Sequence, residues 1–363
     1  MIRIFEPNLN GNTRLYLNQC LDENWISSQG RFVAQFEKHM ARNTLGNAVS
    51  TSNGTVALHL ALLALGVKKN DEVIVPNITF GATLNAILYI GAIPVIVDVD
   101  EQTWNINLEK VKAVLNDRTK AIITVCLFGN PSGIEAVTKL AKEKKIYCIV
   151  DAAQAVGAKI FNRDIGNWGD AVTYSYFGNK VITTGEGGGI IFNSSKIADK
   201  ARVLRDHGMA PGRRYHHEVV GYNYRMTNLQ AAVGVAQYEI IDILLAKRLI
   251  TLQFYQSELQ HHDISFQHIE PDCFSSNWVV AIRVTPHIRE RIEKNFAASS
   301  IEYRRCFEPM NIQPAFEACR KQNNYDLSAC LYKELLLLPA HPNLSESDLK
   351  KVTRNIKQSM KIE

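Results

Sequence analysis

The 363 residues carry 41 Lys and Arg against 36 Asp and Glu, a formal net charge of +5 spread along the chain without a basic run, which argues against a nucleic-acid partner. A hydrophobic content of 46% in a chain of this length buries a large core and predicts roughly two domains. No apolar window reaches membrane-span length, "MIRIFEPNLNGN" lacks a signal-peptide core, and the seven cysteines form no CxxC pair, so a cytoplasmic protein with reduced thiols and no membrane partner is expected.

In chain order, "TVALHLALLALGV" (55–67) reads as an apolar helix ending near Gly66, a C-cap glycine. The runs "DEVIVP" and "PVIVDVD" read as strands, with the acids of "DVDEQT" as solvated turn residues rather than a metal site. "KAIITVCLF" is a third strand, "PSGIEAVTKLAKEKK" (131–145) a helix, and "KIYCIVDAA", "AVTYSYF" and "GGIIFNS" are further strands. This alternation predicts an α/β fold with a mixed, mostly parallel sheet. "NLQAAVGVAQYEIIDILLAKRL" (228–249) reads as one long helix, leading to a region with "NWVVAIRV" as a strand and several Pro-marked turns. The division expected is a large domain over 1–240 and a smaller α+β domain over 241–363.

Two charged residues end apolar runs. Asp151 closes "CIVD", a costly place for an unpaired carboxylate, and Lys180 follows 29 residues later in "SYFGNKVITTGEGGG". Both side chains can converge at one sheet edge, where α/β folds gather ligands. A lysine with a buried aspartate suits pyridoxal 5′-phosphate: the amine binds the cofactor covalently, and the carboxylate keeps its ring nitrogen protonated. Read alone, Asp151 suits a turn cap equally well. In "TSNGTVALHLAL", Gly54 and Thr55 open a helix whose free N–H groups suit a phosphate, although Ser52, Asn53 and Thr55 also fit simple helix capping. Ser175 can add a hydroxyl, Phe80 can stack on the ring or belong to the core, and His59 reads as a packed core histidine.

The stretches from "SNGTVALHL" to "PVIVDVD", "DAAQAVGA", "SYFGNKVITTGEGGG" and "GYNYRMTNLQAAVGVAQ", with "WISSQG", "IEYRRCFEPMNIQPAF" and "LLLPAHPNLSESDL", resemble the fold type I sugar-nucleotide aminotransferases of the DegT/StrS type over nearly the whole chain. The resemblance implies pyridoxal 5′-phosphate as cofactor, with Lys180 as its covalent anchor and proton shuttle and Asp151 as the partner of the ring nitrogen. It further implies Gln154 at the phenolic oxygen, Phe80 over the ring, and Asn53, Gly54, Thr55 and Ser175 at the phosphate. Asn223 is implied to reach that phosphate from the neighbouring subunit of a homodimer. Substrate contacts are implied for Trp25 and Ser28, for Arg213, Arg214 and Tyr215, and for Arg304, Arg305 and Phe307.

The implied reaction moves the amino group of glutamate to C4 of a nucleotide-linked 4-keto-6-deoxy sugar. Within the family the motifs are most similar to perosamine synthases, which act on a GDP-linked sugar. Gln154 and His216 depart from that pattern, where Glu and Trp are usual, so dTDP- or UDP-linked sugars stay open. Lys180 separates the chain from sister sugar dehydratases with histidine at that place. A non-catalytic cofactor-binding module would have lost Lys180 or Asp151.

Overall fold

The computed structural model describes residues 1–319 and 324–360. Seven strands form one sheet in the spatial order Asn47–Thr51, Gly188–Phe192, Ala171–Ser175, Tyr147–Asp151, Thr119–Val125, Glu72–Pro76, Ile93–Val97. Only Gly188–Phe192 runs against the others, pairing antiparallel with both neighbours. The parallel strands are buried on both faces; Val73, Ile74 and Val75 are all 0% exposed, which is why they read as unbroken apolar runs. The outer strand Asn47–Thr51 escapes that reading, because "NAVST" is half polar and its placement comes from pairing with Gly188–Phe192.

Helices cover both faces. Gly54–Leu65 is buried nearly all round and ends at Gly66 in the left-handed region (φ 83°), the expected C-cap. His59 is buried as expected, its Nδ1 3.0 Å from the Tyr224 hydroxyl. Two readings of the sequence need correction. Asp98 is not solvated: it is buried and accepts the backbone N–H of Leu327 and Ser328 as well as the Ser328 hydroxyl, tying "DVDEQT" to a later helix.

The single helix expected over 228–249 is two, Asn228–Glu239 and Ile241–Glu258, bent by 62°. No Gly or Pro marks the break; Ile240 leaves helical geometry (φ −112°, ψ 8°). The bend lets the first helix pack on Thr13–Asp22 and Arg31–Ala41, and the second on Glu346–Met360.

A second, antiparallel sheet runs Ser265–Phe266, Val280–Arg283, Leu335–Leu338, Arg304–Arg305. Ile282, Leu336, Leu338, Phe296, Val352 and Ile356 form its core, which also takes in Ile2, bridged in parallel to Ile301. Five of the seven cysteines are buried.

Candidate active site

The parallel strands end together, and their carboxyl ends open on a cavity of about 850 Å³. Asp151, the last residue of Tyr147–Asp151, is 5% exposed. One oxygen accepts the Ala153 N–H at 3.1 Å and the other the Thr83 hydroxyl at 2.9 Å, which is itself 2.8 Å from the Thr79 hydroxyl. Burial pushes the carboxyl upward from its ordinary range, while those two hydrogen bonds and the Lys180 charge pull the other way. The two hydrogen bonds aim the buried carboxyl and favour its ionised form against the larger effect of burial.

Lys180 sits in the turn after Ala171–Ser175, closed by its N–H on the Phe177 carbonyl at 3.0 Å. Burial lowers its ammonium to about 8, against a smaller upward pull from Asp151. At the opposite wall, Asn53 caps the helix Gly54–Leu65 by accepting the Val56 N–H at 3.0 Å, which leaves the Gly54 and Thr55 N–H groups for another acceptor. A Cβ on Gly54 would lie 2.8 Å from the Ser175 Cβ, so only glycine lets helix start and strand end meet this closely.

Gln154 is buried with its carbonyl oxygen fixed by the Phe128 N–H at 2.6 Å, which leaves its amide N–H groups as its remaining donors. Phe80, 63% exposed, stands edge-on to Phe307 with centroids 6.2 Å apart.

Of the residues singled out from the sequence, Asn53, Gly54, Thr55, Phe80, Asp151, Gln154, Ser175, Lys180 and Phe307 line this one cavity. Others lie elsewhere. Arg213, Arg214 and Tyr215 line a separate basic cavity with Arg202, Arg205 and Arg225, on a loop exposed throughout 211–220. Asn223 is exposed beside Arg225, which donates to it at 3.4 Å. Trp25 and Ser28 lie in the segment before Arg31–Ala41, where the Asn228 side chain donates to the Trp25 carbonyl at 2.7 Å and its backbone N–H to the Ser27 carbonyl at 2.7 Å. Arg304 and Arg305 form the edge strand of the small sheet, and Arg305 is committed to Glu293 through two contacts of 2.8 and 2.6 Å.

The structure adds Thr83, Asn179, Glu186, Gln230 and Trp278 to the site. Gln230 had a readable signal. "TNLQ" is a capping box, with Thr227 and Gln230 satisfying each other's backbone N–H, and the Gln230 side chain donates to the Glu186 carbonyl at 2.6 Å. Asn179 also leaves its side-chain oxygen buried without a partner. An anion cradle, a buried carboxylate and an amine of lowered basicity facing one cavity are the donor set that a phosphorylated pyridine aldehyde needs.

A mostly parallel sheet with this constellation at its strand ends defines a pyridoxal phosphate-dependent aminotransferase. The chain belongs to the DegT/DnrJ/EryC1/StrS aminotransferase family, whose model matches residues 7–357. It is 38% identical over 359 residues to a GDP-perosamine synthase of Escherichia coli O157:H7, and 40% identical over 363 residues to one of Caulobacter vibrioides, with 98% of each chain covered in both comparisons. Among solved structures it is similar to the aminotransferase TlmJ from Streptoalloteichus hindustanus (TM-score 0.94, 25% identity, 99% of both chains). It also resembles an aminotransferase from Psychrobacter cryohalolentis (TM-score 0.92, 29% identity, 98% of this chain and 99% of that one).

Proposed function

We propose that this aminotransferase carries the amino group of glutamate to C4 of GDP-4-keto-6-deoxymannose, forming GDP-perosamine in the cytoplasm. The observation that carries the reading is the match to GDP-perosamine synthases from three organisms at 38–40% identity across nearly the full chain.

When bound, pyridoxal phosphate supplies an electron sink for the carbon that bears the transferred amine. Asp151, aimed by the Thr83 hydroxyl and the Ala153 N–H, would hold a proton on the ring nitrogen. Lys180 would hold the cofactor, and its amine would take the α-proton of the amino donor and return one to the acceptor carbon. The Gly54 and Thr55 N–H groups, the Asn53 turn and the Ser175 hydroxyl would hold the phosphate, Gln154 would donate to the ring oxygen, and Phe80 would pack on the ring.

The sugar nucleotide meets Phe307, Trp25 and Ser28, with Arg213, Arg214 and Tyr215 drawn to its pyrophosphate. Arg304 is a weaker member of that set, and Arg305 would first have to leave Glu293. Incubation with glutamate, cofactor and a panel of GDP-, dTDP- and UDP-linked 4-keto-6-deoxy sugars checks the reading by mass spectrometry. Amination of the GDP sugar alone, or far ahead of the others, is expected; preference for a dTDP or UDP sugar overturns the GDP assignment.

The arm carrying Arg213–Tyr215 supports a homodimer with shared sites. Its loop leaves Tyr215 76% and Val220 88% exposed, at a cavity separate from its own chain's Lys180. A twofold pair would bring this arm and Asn223 to the partner's phosphate site. Lys180→Ala and Asn223→Glu are then each inactive, yet a mixture after subunit exchange regains about a quarter of wild-type activity, because half the dimers are mixed and each has one intact site. A mixture that exchanges subunits and stays inactive shows that Asn223 does not act across the interface.

A further inference from the structure

Trp278 lines the cavity beside Lys180 and has no part in the chemistry described above. It is 4% exposed, and its indole N–H donates at 2.6 Å to the carbonyl of Asn179, the residue directly before Lys180. The Lys180 ammonium lies 4.5 Å from the centre of the same ring system. Asn179 does not brace the turn with its own side chain, whose oxygen is buried and unpartnered. The contact that fixes this main chain from outside the turn is the indole.

Trp278 is itself held from several sides. Phe5 stacks on it at 5.0 Å with planes 15° apart, and its backbone N–H donates to the Phe128 carbonyl at 3.1 Å. Its carbonyl accepts from Arg248 at 2.8 Å, a guanidinium 2% exposed that also donates to Ala340 at 3.1 Å. A side chain needed only to fill volume would not require a donor so placed, nor a buried cation fixing its backbone.

We propose that Trp278 is a positioning residue for Lys180, tying the turn at Asn179 through its N–H and steadying the lysine's ammonium against its ring face. Attraction between an ammonium and an aromatic face favours the charged form and opposes the burial that draws the amine toward neutrality. The indole therefore sets both where the amine rests and how readily it gives up its proton. The value of this for catalysis rests on reading Lys180 as the cofactor's anchor; the contact itself does not.

The test uses cofactor-free protein, so that it stands apart from that reading. Trace acylation across a pH series, read at the Lys180 peptide by mass spectrometry, gives the amine's midpoint. In Trp278→Leu the midpoint is expected to fall by roughly one pH unit, since the ring face is lost while the wall stays apolar. In Trp278→Phe a ring remains and the midpoint moves by only a few tenths. Amide exchange at 178–181 should nevertheless quicken by about tenfold in that variant, because the indole donor is gone. An unchanged or raised midpoint in the Leu variant, or unchanged exchange in the Phe variant, overturns the proposal, and the Phe variant decides alone if the Leu variant fails to fold. Borohydride fixing the cofactor to a different lysine would sink the assignment of Lys180 and leave these measurements standing.

Discussion

Lys180→Ala removes transamination, with a fall on the order of 10⁴-fold or more in turnover, because one substitution deletes both the covalent anchor and the proton-transferring amine. The amine is suited to that second task by its surroundings. Burial brings its ammonium from 10.5 to about 8, so about a tenth of the molecules hold a neutral amine at pH 7, where a solvated lysine would offer fewer than about one in a thousand. The sign is that of a cation held in poor solvent: the charged form is penalised, and the neutral share grows as pH rises through 8. Borohydride treatment of the wild type should mark Lys180 in peptide mapping, and the alanine variant should take no mark there. Wild-type turnover in Lys180→Ala would remove the residue from the mechanism.

Asp151→Asn separates shape from charge. Asparagine keeps the volume and an oxygen for the Thr83 hydroxyl or the Ala153 N–H, so the protein should fold and retain cofactor through desalting. What it loses is the negative charge that stabilises a protonated ring nitrogen. Turnover should fall by roughly 10²- to 10³-fold, the size usual when one preorganised electrostatic contact is removed. Burial already disfavours the ionised carboxyl, so the fold gives up little with it. Cofactor content by absorbance together with turnover checks the prediction. A variant that turns over like the wild type would show that the charge at Asp151 is not used.

The central strands were legible because both their faces are buried, so the chain writes them as unbroken apolar runs ended by a charged residue or a turn. Asp151 and Lys180 stood out for the same reason, as ionisable groups where apolar strands stop. The phosphate cradle was half legible: Gly54 and Thr55 are visible as a helix start, while the closeness of Ser175 is a fact of packing. What stayed hidden depends on distant contacts. The indole bond to Asn179 spans 99 positions of sequence, and nothing local in "SSNWVV" announces it. The break at Ile240 was hidden too, since neither glycine nor proline marks it and tertiary packing decides where the helix turns.

The seating of Ile2 bears on how the chain acquires its shape during synthesis. Its N–H bonds to the Ser300 carbonyl, and its own carbonyl accepts from Glu302. Every strand of the seven-stranded sheet lies before residue 193, so that layer can close while the ribosome still holds the rest of the chain. Ile2 cannot, because its partners are made some three hundred positions later, a wait of about 15 to 60 s at ordinary elongation rates. Phe5, which stacks on Trp278, waits nearly as long. Residues near Ile2 are thus among the late ones to dock, and the wall behind the active-site lysine is finished only when Phe5 meets Trp278, some 270 positions further along the chain.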